Sequence, residues 1–276
     1  MCADENNNRI GRILHVYELK GKGRPPDPPS RELAGIWPQP PYYYLFYGTD
    51  ALDAVLDWLE SNPEWRLTSR YSLPYERWQD SFAEPLRVGP FSIEAATGAE
   101  RQAGASSGIP VRIDPGIVFG SGLHPTTKGC LLAIADLFAS RRIATVVDFG
   151  TGTGILAIAC ALLGARRTWA VDCVPLALAV ARQNALDNAT AGRIGFIAAD
   201  RLSVLTTPSD LLVMNLELPI LEAVLGGDDG KGYGHLVLSG FLEGALDRVE
   251  EMVRPWRRRV GTRVIEGWPT LTFDAH

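Results

Sequence analysis

A glycine-rich turn between a predicted strand and a predicted helix is the segment of this chain best suited to hold a ligand. The turn reads Asp148-Phe149-Gly150-Thr151-Gly152-Thr153-Gly154 and follows the β-branched run Thr145-Val146-Val147. Glycine allows a sharp turn and leaves room for a ligand, because it has no Cβ. The helix that follows offers unpaired N–H groups and the positive end of its dipole. Such turns also occur for structural reasons alone, so the neighbouring acids decide what this one binds.

Acidic residues close three successive predicted strands, and their charge indicates the class of ligand. Asp148 ends the first strand, Asp172 the second and Asp200 the third. The carboxyl ends of neighbouring parallel strands meet at one edge of a sheet, so we expect the three carboxylates to converge on one crevice. They would repel a pyrophosphate but attract a nucleoside that carries a sulfonium and an ammonium group, and Asp172 is spaced to bind ribose hydroxyls. The G-x-G-x-G spacing also differs from the dinucleotide fingerprint, so the pattern favours S-adenosylmethionine over a nicotinamide cofactor.

A second polar stretch, residues 113–127, comes just before a predicted helix. It contains several glycines, several hydroxyl side chains and His124. Thr126 or Thr127 would cap the helix, and His124 is either a hydrogen-bonded structural residue or a general base. No second histidine or cysteine lies at metal-ligand spacing, so no metal site is predicted.

An alternation of strands and helices is predicted to position these residues. Strand patterns occur near residues 144–148, 168–172, 194–199, 210–214 and 235–239, and helical patterns near residues 126–140, 154–163, 174–188, 217–225 and 241–254. Strands that alternate with helices form βαβ units and a parallel sheet covered on both faces. Two further strands, 259–265 and 268–273, are joined by too short a link for a parallel crossover, so they are predicted to form an antiparallel hairpin.

The N-terminal third has a different pattern, which predicts a small α/β module. A strand near residues 9–19 precedes a segment rich in proline and glycine, 21–41, which predicts a surface loop, with polyproline docking to a partner as the alternative. An aromatic strand, 42–47, comes next, and its tyrosines either stack on a ligand or form a half-buried sheet face. A helix capped by Asp50 and a strand near 66–71 complete the module.

The boundary between the two parts falls in a segment without regular pattern. Residues 77–82 predict a helical turn and residues 85–93 a short strand, and residues 96–109 have the composition of a flexible loop. Residues 1–95 are therefore assigned to the small module and its linker, and residues 96–276 to the larger domain.

Composition limits the class of protein. The chain has 276 residues, of which 46% are hydrophobic and 21% charged, as in an ordinary globular protein. A net charge of −5 argues against a protein that coats nucleic acid, and no apolar run reaches the roughly 20 residues of a membrane span. The polar N-terminus does not resemble a signal peptide, and Cys130, Cys160 and Cys173 lie in apolar contexts typical of small core residues. We expect a cytoplasmic monomer with no direct nucleic-acid or membrane partner.

The ligand-binding stretches resemble those of one known family, the ribosomal protein L-eleven methyltransferases (PrmA). The shared residues are Asp114-Pro115-Gly116, Phe119-Gly120-Ser121-Gly122, His124-Pro125-Thr126-Thr127, the turn at 147–156, Asn184-Ala185 and residues 236–242. The resemblance covers roughly residues 77–273. It implies the seven-stranded, Rossmann-like α/β sheet of class I methyltransferases with an antiparallel C-terminal hairpin, preceded by a small N-terminal α/β substrate-recognition module.

The resemblance also implies an activity and roles for individual residues. The family transfers methyl groups from S-adenosylmethionine to lysine and N-terminal amines of a ribosomal protein, and Asn215 is the implied catalytic residue beside the methyl donor. Asp172 would hold the ribose and Asp200 would lie near the adenine. The implied cofactor-binding residues are Phe119, Ser121, Thr126, Asp148, Gly150, Thr151, Gly152, Asp172, Asp200 and Asn215.

Two features differ from the family pattern, and both concern the acceptor. Glu217 places a carboxylate two residues after Asn215, where it either holds an incoming cationic lysine or faces solvent. The N-terminal part shows one strand–helix–strand and a proline-rich insertion, where the family has a fuller ferredoxin-like domain. Two alternatives therefore stay open: a methyltransferase for another protein or a small amine, and a non-catalytic S-adenosylmethionine-binding module.

Overall fold

The chain forms two compact units, residues 1–81 and residues 82–276. The computed structural model describes residues 13–22, 26–29, 33–39, 41–74, 85–96, 108–114, 122, 124–205, 207–226 and 230–275. Each unit contains its own cluster or clusters of buried apolar side chains.

The first unit is an antiparallel four-stranded sheet against which a helix packs. Its elements in chain order are β1 (Ile13–Lys20), β2 (Leu33–Gln39), β3 (Tyr42–Tyr47), α1 (Leu52–Glu60) and β4 (Arg66–Pro74). The strands lie in the order β2-β3-β1-β4, and each neighbouring pair is antiparallel. Tyr43 and Tyr47 pack against Val55 of α1, so these tyrosines form the buried face of the sheet. Asp50 accepts a hydrogen bond from the N–H of Leu52 at the start of α1, 3.1 Å away.

Strand β2 corrects the prediction of a loop over residues 21–41. The strand lies at the edge of the sheet, where Pro38 is tolerated because an edge strand has fewer ladder hydrogen bonds to lose. The first unit therefore has more strands than the predicted strand–helix–strand. Its strand order, 4-1-3-2 read from β4, is that of a ferredoxin-like sheet.

The connection from β1 to β2 differs from the helix that a ferredoxin-like domain has at this point. Its described residues, 21–22 and 26–29, are not helical. Trp58 Nε1 of α1 donates to the carbonyl of Asp27 at 3.1 Å, and the Tyr47 hydroxyl donates to the carbonyl of Pro29 at 2.9 Å. Side chains of the unit thus satisfy carbonyls of the proline-rich connection.

A small three-stranded sheet begins the second unit. It consists of β5 (Leu86–Val88), β6 (Phe91–Ala95) and β7 (Ile109–Ile113), with β6 antiparallel to β5 and parallel to β7. The predicted division assigned residues 86–95 to the first module, but their pairing with β7 and their buried side chains place them in the second unit. The predicted helical turn at 77–82 lies outside the described residues.

A seven-stranded sheet forms the centre of the second unit, as predicted. Its strands are β8 (Thr145–Phe149), β9 (Arg167–Asp172), β10 (Ile194–Ala198), β11 (Leu211–Asn215), β12 (His235–Ser239), β13 (Arg257–Ile265) and β14 (Trp268–Ala275). They lie in the order β10-β9-β8-β11-β12-β14-β13. The first five are parallel, and β14 is antiparallel to both neighbours, which confirms the predicted C-terminal hairpin.

Helices cover both faces of this sheet. They are α2 (Pro125–Ser140), α3 (Ile155–Leu162), α4 (Pro175–Asp187), α5 (Leu218–Leu225) and α6 (Leu246–Val253). Strand side chains alternate between the faces: Val213 packs in the cluster with α2 and α3, and Leu212 and Met214 pack in the cluster with α5 and α6. Among the described helices, none combines the length and the apolar character that crossing a membrane requires.

The strand order reverses between β8 and β11, which fixes where a ligand can bind. Connections from β8 lead outward to β9 and β10, whereas β11 and β12 lie on the other side of β8. A crevice opens at such a switch point, at the carboxyl ends of the strands. The glycine turn follows β8 at this edge, and Asn215 ends β11 beside it.

Candidate functional site

The glycine turn depends on glycine at each of its three alternate positions. Gly150, Gly152 and Gly154 have positive φ angles of 77°, 54° and 82°, which disfavour residues with a Cβ. The N–H groups of Gly150 and Thr151 donate to the carbonyl of Val171 at 2.8 and 2.9 Å, so the turn is tied to the end of β9.

Gly150 has a second reason to lack a side chain. An added Cβ would overlap the Leu216 side chain, which follows β11. The chain segments after β8 and β11 therefore approach each other closely at the switch point.

Asp148 lies beneath the turn and holds it. Its Oδ2 accepts hydrogen bonds from the Thr151 hydroxyl at 2.6 Å and from the N–H of Ala157 at 3.1 Å. The side chain is buried, and burial raises its pKa to about 7 despite these hydrogen bonds. Asp148 thus fixes the start of α3 to the turn.

Asp172 ends β9 at the crevice and is half-buried. Its Oδ2 accepts a hydrogen bond from the N–H of Gly152 at 3.0 Å, and its Oδ1 accepts one from Val174 at 2.9 Å. Each carboxylate oxygen can accept a further hydrogen bond, so Asp172 remains able to receive two hydroxyl groups of a ligand.

Asp200 lies farther out than Asp172. It comes two residues after β10, and its side chain is exposed and paired with Arg201 Nε at 3.1 Å. The hydrogen bond and charge of Arg201 lower the pKa of this carboxyl group. Of the three acids predicted to converge, Asp148 is thus buried, Asp172 lines the edge and Asp200 lies in solvent.

Asn215 is half-buried at the end of β11, and one of its polar atoms is unusual. Its Nδ2 donates to the Thr127 hydroxyl at 3.4 Å, whereas its Oδ1 is buried and has no hydrogen-bond partner among the described residues. A buried acceptor without a partner costs free energy, and such an atom in a crevice is suited to a ligand donor. Thr127 is the residue that sequence reasoning did not select, since only the tertiary contact with Asn215 distinguishes it from Thr126.

His124 is the N-cap residue of α2. Its Nδ1 accepts a hydrogen bond from the N–H of Thr126 at 3.3 Å and lies 2.8 Å from the Thr126 hydroxyl. Burial lowers the pKa of the ring, which favours the neutral form that can accept at Nδ1. The ring also packs edge-to-face against Trp268, 4.8 Å between centroids. This geometry favours the structural role of His124 over a general base.

Three predicted cofactor-binding residues remain. Phe119 and Ser121 lie outside the described residues, and Thr126 is fully buried at the start of α2.

Cys130 and Cys160 are buried as expected, but Cys173 is exposed, because it follows the last residue of β9 at the open edge of the sheet. Within the described parts of the chain, no group of three or more histidine, cysteine or acidic side chains is arranged to hold a metal ion.

One family matches this chain over most of its length. The family model described as ribosomal protein L11 methyltransferase (PrmA) matches residues 74–276. A ribosomal protein L11 methyltransferase of Streptococcus equi subsp. zooepidemicus is 34% identical over 207 residues, and one of Streptococcus pyogenes serotype M4 is 35% identical over 209 residues. Each match covers 73% of this chain and 64% of the relative, so the chain spans less than two thirds of these relatives.

A solved structure is similar to this chain as well. It is the ribosomal protein L11 methylase from Lactobacillus delbrueckii subsp. bulgaricus, which is 25% identical in sequence and superimposes with a TM-score of 0.60. The superposition covers 70% of this chain and 98% of that one. The similarity therefore extends to the arrangement of the elements over most of this chain.

Proposed function

This chain belongs to the ribosomal protein L11 methyltransferase (PrmA) family, and from that premise we propose that it transfers methyl groups from S-adenosylmethionine to amino groups of a ribosomal protein. The acceptor would be a lysine side chain or an N-terminal amine. The single observation that carries the proposal is the buried Oδ1 of Asn215, an acceptor without a partner among the described residues, at the edge where the glycine turn and Asp172 meet. A cytoplasmic location is part of this proposal.

The described residues suit this cofactor in their chemistry. S-adenosylmethionine, when bound, supplies an electrophilic methyl group on a positively charged sulfur. Asp172 retains acceptor capacity for ribose hydroxyls, and Gly150 and Gly152 leave the backbone of the turn accessible. Asp200, although paired with Arg201, stays the residue predicted to lie near the adenine. Thr126, Thr151, Phe119 and Ser121 stay predicted cofactor-binding residues, and Asp148 supports them by holding the turn.

Asn215 acts by positioning the acceptor. Its Oδ1 accepts a hydrogen bond from the amine, which directs the nitrogen lone pair toward the methyl group. Thr127 keeps the amide in this orientation, because Nδ2 donates to its hydroxyl. Correct placement of two reactants accounts for a large part of the barrier reduction in such a transfer. A lysine must first lose its proton to solvent, and removal from water lowers its pKa.

The substitution Asn215→Ala tests the proposal. It removes the orienting oxygen, and we expect the rate of methyl transfer to fall about 100-fold, since a misplaced reactant costs this order. Binding of S-adenosylmethionine, measured by calorimetry, is expected to stay within about threefold. Transfer is measured with radiolabelled donor and purified ribosomal protein L11. Gln183→Ala, which removes a surface amide of α4 that donates to Asp187, is the matched control. Full transfer by Asn215→Ala would refute the positioning role.

A second candidate acceptor has a specific observation in its favour. The family match begins at residue 74, so most of the first unit lies outside it. An acceptor recognised by this unit would be another protein or a small amine. Labelled donor added to cell extract, with and without L11, separates these cases: labelling of a different band, with none on L11, would replace the first proposal. Binding of S-adenosylmethionine without transfer to any amine would leave the non-catalytic alternative.

A further inference from the structure

Glu217 is an exposed carboxylate two residues after Asn215. It occupies the N-cap position of α5, but its side chain makes no capping hydrogen bond. Only its backbone takes part in the helix, because its carbonyl accepts hydrogen bonds from Ile220 and Leu221 at 3.0 Å. Among the described residues no cation pairs with it. A residue in this position is therefore available to a molecule from outside.

Glu217 lies at the same edge of the sheet as Asn215. The N–H of Leu216 donates to the carbonyl of Ser239 at 3.0 Å, so the pairing of β11 and β12 continues one residue beyond the strand. Glu217 follows Leu216 directly and is the N-cap residue of α5. It therefore lies at the carboxyl end of β11, where the glycine turn approaches Leu216.

Two exposed aliphatic side chains lie on the chain segments next to Glu217. Ile220, one helical turn on, is 45% exposed, and Leu242, on the segment that follows β12, is 59% exposed. The two segments adjoin, since a Cβ on Gly240 would overlap the carbonyl of Leu216. The positive end of the α5 dipole favours a negative charge at Glu217. A long aliphatic side chain with a cationic tip matches such a surface.

We propose that Glu217 is a specificity-determining residue that binds the protonated amine of a lysine acceptor before transfer, with Ile220 and Leu242 in contact with its methylene groups. This inference rests on the proposed function. An exposed ion pair is weak, so the lysine can leave it, lose its proton to solvent and move to Asn215. Glu217 takes no part in the transfer itself. Methylated lysines that keep their charge remain ligands for Glu217, so repeated transfers use it equally.

The test measures the acceptor KM and kcat with L11 as substrate for the full chain and three variants. We expect Glu217→Gln to raise the KM about fivefold, with kcat and the Kd for S-adenosylmethionine unchanged, because an exposed charge acts on encounter and capture. Its KM is expected to depend less on salt than that of the wild type. Glu217→Asp is expected to retain part of the effect. Glu251→Gln, an exposed carboxylate of α6, removes the same charge elsewhere and is expected to change nothing.

The outcomes separate the inference from the proposed function. An active wild type with an unchanged KM in Glu217→Gln overturns the inference alone, as does an equal rise in KM in Glu251→Gln. A fall in kcat with constant KM also overturns it, because a capture residue does not act on transfer. A wild type that binds S-adenosylmethionine but methylates no amine overturns both.

Discussion

Asp148 shows how one buried residue couples the site to stability. Burial raises its pKa to about 7, although the Thr151 hydroxyl and the N–H of Ala157 donate hydrogen bonds to it. In the unfolded chain the same carboxyl group titrates near pH ~4. Between these values the folded chain binds more protons than the unfolded chain. The free energy of unfolding therefore falls as the pH rises through this range.

The substitution Asp148→Asn removes this dependence while it keeps an oxygen that can accept both hydrogen bonds. We expect the free energy of unfolding of the variant, relative to the wild type, to rise by about 1 kcal/mol or more between pH 5 and pH 8. Urea denaturation at four pH values in this range measures it. Asp247→Asn, which changes an exposed carboxylate on α6, should leave the pH profile as it is. Parallel profiles for Asp148→Asn and wild type would contradict the expectation.

The residues that could be selected from sequence are those whose type and local spacing already carry the chemistry. The turn glycines and Asp172 belong to this group, because each follows directly from a strand end in its own segment. Thr127 and the Oδ1 of Asn215, which lacks a partner in the described part of the chain, do not, since they are defined by a contact between residues 88 positions apart. The buried position of Asp148 is likewise a property of the packed turn.

At the scale of elements, the packing of α2 against the C-terminal hairpin depends on one glycine. An added Cβ on Gly129 would overlap the Thr270 hydroxyl of β14. Gly129→Ala gains about 1 kcal/mol of helix propensity, but overpacking at a close contact costs about 1–3 kcal/mol. We expect a net loss of about 1 kcal/mol, measured by urea denaturation.

A double-mutant cycle with Thr270→Ala isolates this contact. Thr270→Ala removes the hydroxyl and its hydrogen bond to Ser239, at 3.1 Å, and is destabilising by itself. In the double variant the overlap with the hydroxyl is gone, and the nearest atom is the Cβ of residue 270 at 3.1 Å. The sum of the two single losses of stability should therefore exceed the loss in the double variant by about 0.5 kcal/mol or more. Additive losses would mean that the helix moves away from the hairpin at no cost.

The parallel strands were predictable because each is a short apolar run bounded by glycine or an acid. β8, β9 and β11 are buried on both faces, so their sequences need no alternation and stand out from their surroundings. β2 was missed because prolines argue against a central strand, and its edge position in the sheet is decided by β3. The pairing of β6 with β7 joins segments separated by a glycine-rich stretch, and no local pattern reports it.

At the scale of the whole molecule, the boundary between the two units follows from the three-stranded sheet. Val88, Phe91 and Ile93 are buried in the same cluster as α2 and α3, so β5 and β6 complete the core around the site. The first unit has a separate cluster around Tyr17, Val55 and Trp65. Residues 82–276 should therefore fold without the first unit.

Two truncated chains distinguish this boundary from the one that sequence patterns predicted. A chain that starts at residue 82 keeps β5 and β6, and we expect a single cooperative transition and a Kd for S-adenosylmethionine within about threefold of the full chain. A chain that starts at residue 96 loses three buried apolar side chains, each of which costs about 1–5 kcal/mol. Since a domain is stable by only about 5–15 kcal/mol, this chain should be unfolded. Circular dichroism and calorimetry measure both. If the shorter chain folds and binds as well as the longer one, β5 and β6 contribute no support to the crevice, and the core beneath it ends at β7.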